Sequence, residues 1–225
     1  MNDWPFLAVL AVVVGAAWLL YRYLGRRRLE KLLERAERRG LSFLPNGDRA
    51  LAEELKHTEL LSHDSGRVTN LLRGKIHGVD TEIFDYTFQT GPGQYGFRGT
   101  SWHQQTVIRF TRESLVLPDF WLRPEGLWDK VAAAVGGEDI NFPTHPEFSR
   151  KYQLHGLIEA NVRRVFTPEL LSFLETKTGL RIEGEPKHLV VFSAENIVQP
   201  EDIEELIQLG FQVLRLFDPT VSQGS

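Results

Sequence analysis

Cysteine is absent from all 225 residues. That absence excludes disulfides, thiolate metal centres and a thiol nucleophile. The tripeptide His145-Pro146-Glu147 carries the H-x-E of zinc deaminases, but with no C-x-x-C the metal lacks its remaining ligands. Seven histidines occur, none at the H-x-x-x-H or H-E-x-x-H spacing that sets two imidazoles on one helix face. No G-x-S-x-G, Ser-x-x-Lys, H-R-D or D-F-G is present, so nucleophilic catalysis and kinase-type chemistry find no motif. No metal, no cofactor and no catalytic residue is expected.

Positive charge is scarce over most of the chain. The whole sequence has 26 basic and 30 acidic side chains, a net of −4. Residues 1–40 hold eight Lys or Arg and four acids, a net of +4, which leaves −8 for the other 185 residues. An acidic body lacks a phosphate-neutralising surface, so no nucleic-acid partner is expected. Anionic lipid would repel that body too, leaving membrane contact to the basic N-terminal collar.

What the chain does have is a run of 17 uncharged residues, Pro5 to Tyr21, followed at once by Arg22, Arg26, Arg27 and Arg28. Trp4 to Leu24 covers about 31 Å as a helix, close to the roughly 30 Å core of a bilayer. Trp4, Trp18, Tyr21 and Tyr23 stand near its ends, where amphipathic rings favour the headgroup layer. The lipid bilayer is therefore the expected partner of residues 4–24. With the basic residues all on the C-terminal side, the positive-inside bias puts the N-terminus outside and the C-terminal domain in the cytoplasm, at the inner (plasma) membrane. A cleaved secretory signal is the competing reading, since Gly15, Ala16 and Ala17 offer small residues. The missing Lys or Arg before the run speaks against it.

Residues 26–40 form a basic amphipathic juxtamembrane helix in this reading. Leu29, Leu32, Leu33 and Ala36 recur at helical spacing and Gly40 ends the helix. Docking of that stripe on the following domain, a short dimer seam and contact with the membrane surface are all open. Residues 41–219 make one cytoplasmic α+β domain, and 220–225 a disordered tail.

Within the domain, Leu51 to Leu55 is a short helix, and Arg67 to Gln89 reads as two strands broken at His77-Gly78. Further strands are expected over 101–111, 114–122, 150–154, 180–182 and 187–192. Helices are expected from Pro124 to Val135, Leu157 to Phe166, Pro168 to about Gly179, and Pro200 to Phe217. The sum is an N-terminal transmembrane helix followed by a mostly antiparallel sheet of four to seven strands with helices packed on one face.

Two places invite a functional reading. Gly91-Pro92-Gly93-Gln94-Tyr95-Gly96 matches G-x-G-x-x-G, but a strand follows it, no βαβ unit surrounds it, and Pro92 removes an amide donor. A hairpin tip in loop 91–99 is expected instead, with Tyr95, Phe97, Arg98 and Trp102 available to an unidentified protein partner. Asp85, between Phe84 and Tyr86 in an apolar strand, needs a partner if buried, and Arg73 and Arg109 are the candidates. A structural ion pair is the favoured reading. The alternative is an enzyme or small-ligand receptor whose site gathers Asp85, His103 and Arg109 beside the glycine-rich loop.

The order of Leu72-Arg73-Gly74, Glu82-Ile83-Phe84-Asp85-Tyr86, Gln105-Thr106-Val107, Leu122-Arg123-Pro124-Glu125-Gly126 and His145-Pro146-Glu147-Phe148-Ser149-Arg150 resembles a family of uncharacterised bacterial single-pass membrane proteins. The resemblance implies the architecture and a bacterial source. It implies no activity and no site residue.

Overall fold

In the computed structural model, which describes residues 4–90, 101–126, 139–193 and 197–221, the apolar run and the charged stretch behind it form one helix, α1 (Trp4–Arg39). From Val9 onward no residue of its apolar window is buried, and it is the one helix among the described residues long and apolar enough to cross a membrane. Further along, one stripe turns inward. Leu32 and Ala36 are fully buried, Arg28 and Leu29 half-buried, and the spacing of three and four residues keeps them on one face. Leu33, expected to share that face, stays exposed. Gly40 takes a left-handed φ of 65°, and the amides of Gly40 and Leu41 donate to the carbonyls of Glu37 and Ala36 at 3.1 and 2.9 Å. This Schellman closure turns the chain directly into the sheet.

Eight strands among the described residues form that sheet: β1 (Ser42–Leu44), β2 (Arg67–Ile76), β3 (Val79–Thr90), β4 (Ser101–Thr111), β5 (Phe120–Pro124), β6 (Tyr152–Gly156), β7 (Leu180–Glu185) and β8 (His188–Ser193). Their order is β1-β2-β3-β4-β8-β7-β5-β6, and every adjacent pair is antiparallel. The fold is α+β with an antiparallel sheet. Five further α-helices lie among the described residues: α2 (Arg49–Glu54), α3 (Pro146–Lys151), α4 (Glu159–Val165), α5 (Pro168–Glu175) and α6 (Ile203–Phe217).

Period-two alternation sorts the strand residues between two cores. Ile83, Ile108, Phe110, Leu189 and Val191 point to the face covered by the second part of α1 and by α3 to α6. Phe84, Tyr86, Val107, Val190 and Phe192 point to the other face, where Leu51, Leu55 and Leu61 from α2 and the loop after it form a smaller core. Helix α6 approaches β4 closely because residue 210 is glycine: a Cβ there would come within 2.9 Å of Phe110 Cζ. The ring of Phe211 meets Phe110 edge-on at 4.9 Å.

Several expectations need correction. The sheet has eight strands, not at most seven, because the three-residue β1 is too short to show alternation. The strand expected over 114–122 is displaced to Phe120–Pro124. Pro118 has no N–H to give a ladder, and Leu115 and Leu117 turn into the core instead. Pro124 ends that strand opposite Tyr152 and does not open a helix. The helix expected at Leu127 to Val135 lies outside the described residues. Arg150 and Lys151 end α3, whose N1 residue is Pro146, and the strand begins at Tyr152. Order also extends past residue 219: Thr220 hydrogen-bonds to Asp218 and Arg112, and Val221 is buried.

Candidate functional site

The polar centre of the molecule lies where α1 meets the sheet. Asp85 faces α1 from β3, with its side chain only 8 % exposed. Arg28 Nη2 straddles its carboxylate at 2.9 and 3.2 Å, while Nη1 donates to the Val198 carbonyl at 2.9 Å. Asn70 Nδ2 donates to Asp85 Oδ2 at 2.8 Å, and the Thr106 hydroxyl donates to Oδ1 at 2.7 Å. Thr106 in turn accepts from the Val198 amide at 2.9 Å. Asn70 reaches inward because a register shift between Thr69 and Leu72 places it at φ 51°, a left-handed value that asparagine tolerates better than most residues. Both carboxylate oxygens thus have two donors each. A carboxylate so occupied is held as an ion-pair anchor and has no lone pair to offer as a base.

The expected partners of Asp85 are therefore wrong. Arg73 and Arg109 both reach Glu82 on the opposite face, at 2.7 and 3.2 Å. Arg73 also pairs with Asp48, the N-cap of α2, and Arg109 with Glu54 at its far end. These pairs fasten α2 to the sheet. Arg109 further contacts His188 Nδ1 at 3.3 Å; burial, then the neighbouring guanidinium, pushes the His188 pKa down.

The residues of the receptor or enzyme reading do not gather in one place. Asp85 lies on the α1 face, in register with Thr106. His103 and Arg109 lie on the other face, with His103 stacked on Phe88 at 4.9 Å. Trp102 returns to the α1 face and is 60 % exposed. Tyr95, Phe97 and Arg98, with the whole of loop 91–99, lie outside the described residues. No three potential metal ligands cluster among the described residues.

No family model matches the chain, and no curated protein matches it in sequence. Among solved structures, the crystal structure of the mycobacterial trehalose monomycolate transport factor A, TtfA, superposes with a TM-score of 0.57. The match covers 88 % of this chain and 97 % of TtfA at 15 % identity. The chain shares the fold of TtfA. At that identity the likeness concerns the fold alone.

One buried acid gave no sequence signal: Glu183 follows the strand expected over 180–182, but β7 runs on through it to Glu185. Glu183 accepts the amides of Glu59 and Leu60 at 2.6 and 2.9 Å and so pins the loop after α2 to the second face of the sheet. Burial outweighs these two donors and pushes its pKa up to about 7. Near it, Trp121 stacks on His155 at 4.2 Å, and His155 meets Asp139 at 2.5 Å. Both oxygens of Glu183 are committed to backbone, which makes it a fastening for the loop.

Two outcomes follow for full-length protein in detergent. Asp85→Ala leaves Arg28 unpaired and should lower unfolding free energy in urea by about 3 kcal/mol. The double variant with Arg28→Ala should lose less than the sum of the single losses, and strict additivity would contradict the pairing. For Glu183, the folded state holds its proton more tightly than the unfolded chain, so stability should fall as pH rises from about 4.5 to about 7. Glu183→Gln should flatten that fall, by up to about 3 kcal/mol, in urea titrations between pH 5 and 8.

Proposed function

We propose that this chain is a single-pass membrane protein that holds its α+β domain at the cytoplasmic face of the inner membrane and presents it to a protein partner, without catalysing a reaction. The observation that carries this reading is the continuity of α1. The segment long and apolar enough to cross a bilayer runs without a break into the turns that Leu32, Ala36 and Arg28 fix to the sheet. A domain joined this way has its orientation to the bilayer set by one rigid helix. The cluster of arginines directly after the apolar run supports an outside N-terminus. TtfA, whose fold this chain shares, is by its name a transport factor, and a transport-linked role accords with this reading.

The lack of native cysteine makes the test direct. Single variants Asn2→Cys and Lys75→Cys are exposed to a membrane-impermeant maleimide on intact spheroplasts. Position 2 should label before lysis and position 75 only after it; the reverse pattern would overturn the topology. In-cell crosslinking of the same protein, with residues 4–24 either native or replaced by an unrelated span, should recover one reproducible partner in both cases. Loss of that partner with the replaced span would move the contact into the bilayer and contradict a role for the domain.

A further inference from the structure

Above Asp85, α1 and the sheet diverge and leave a cavity of about 880 Å³. Its roof is α1 from Arg22 to Lys31, and its floor is Thr69, Asn70, Thr87 and Gln104. Five basic side chains border it against two acids, Asp85 and Glu201. Asp85 neutralises Arg28, and Glu201 neutralises Lys31. Arg22, Arg26 and Arg27 have no carboxylate partner among the described residues. Arg22 stacks over Trp18 at 4.8 Å and Arg27 over Tyr23 at 4.7 Å, contacts that use the guanidinium face and leave its N–H edge to donate.

The position of this cavity is as informative as its charge. Moving away from Asp85, the floor passes to the Thr87–Gln104 pair and then to Gln89–Trp102, while the roof passes from Arg28 to Arg22. Thr106 to Trp102 is about 13 Å of strand, and Arg28 to Arg22 about 9 Å of helix. The exposed indole of Trp102, on the same face as Gln104, therefore stands near the level where the apolar run of α1 gives way to arginine. An amphipathic ring at that level suits a bilayer headgroup layer.

We propose that this cavity holds the headgroup of one anionic phospholipid, its phosphate taken by Arg22, Arg26 and Arg27, its polar remainder facing Thr87 and Gln104, and Trp102 resting in the same layer. The proposal rests on the single-pass reading above. Charge complementarity selects the occupant: three arginines without acid partners attract phosphate diesters that carry net negative charge and gain little from zwitterionic lipid.

The test uses full-length protein in neutral detergent, titrated with phosphatidylglycerol or phosphatidylcholine of matched acyl chains and read by native mass spectrometry. One phosphatidylglycerol per chain should be retained, with a preference of about tenfold or more over phosphatidylcholine. The triple variant Arg22→Gln, Arg26→Gln, Arg27→Gln should lose that preference. A triple variant removing equal charge at Arg49, Lys75 and Arg164 should keep it. Equal loss in both variants would reduce the effect to general charge and overturn the site. Displacement of the lipid by excess inorganic phosphate would show an ion site and overturn the lipid assignment. Flotation with neutral vesicles distinguishes loss of the lipid site from loss of membrane anchoring. A protein that floats yet shows no preference overturns only the lipid site, and one that fails to float overturns the membrane-anchored reading as well.

Discussion

A carboxylate buried on a sheet face has to find positive charge, and Asp85 finds it on a helix rather than on a neighbouring strand. Taking an isolated carboxylate out of water costs several kcal/mol, which the Arg28 fork, Asn70 and Thr106 offset together. Compared with an apolar pair of similar volume, such a network gains little net stability. What it supplies is register. Leu32 and Ala36 fix which face of the helix docks, and the contact of Arg28 with both carboxylate oxygens adds a directional constraint on its register. The same guanidinium donates to Val198, so the segment leading into α6 is placed by the same group. Further along α1, Lys31 pairs with Glu201 and Arg39 with Glu204, at more exposed positions where each pair contributes little alone.

The consequence is mechanical. A flexible linker between the apolar run and the domain would let the two move independently. Here the helix that leaves the apolar run is already part of the core by Leu32, eight residues after Leu24. The domain's acidic body and the basic collar of α1 then occupy fixed places relative to one another. Such an arrangement gives every exposed surface of the domain one fixed direction relative to the apolar run of α1. The second face serves stability, through the chain of ion pairs from Asp48 to Glu54 and the Glu183 fastening of the loop after α2.

Much of the fold was legible in the sequence because its elements have strong local grammar. His77-Gly78 forms a two-residue turn with both φ values positive, 49° and 79°, as expected for a hairpin between two alternating strands. Thr167-Pro168 opened a capped helix, and Asp218-Pro219 closed the last one. Legibility failed where tertiary context outvoted local pattern. β1 is three residues long and exists only because the Schellman turn delivers it to the edge of β2. Sheet register, the nearest geometry a sequence offers, points to adjacent strands for the partner of Asp85. The real partner sits 57 residues away, on a helix read mainly as a membrane element. The stripe of α1 did hold a clue: Arg28 falls four residues before Leu32 and eight before Ala36, on the face that docks. Asn70 and Glu183 carried no comparable signal, because a bulge and a loop fastening are defined by what packs on them.

A rigid α1, unbroken from the apolar run to the sheet, fixes the placement of the domain. The most direct measurement is a pulsed electron–electron distance between spin labels at Val14→Cys in the apolar run and Lys75→Cys in β2, on full-length protein in lipid nanodiscs. One narrow distance distribution is the predicted result, broadened when Arg28→Ala or Asp85→Ala releases the helix from the sheet. A broad distribution in the unaltered protein would place a hinge inside α1 and contradict the account.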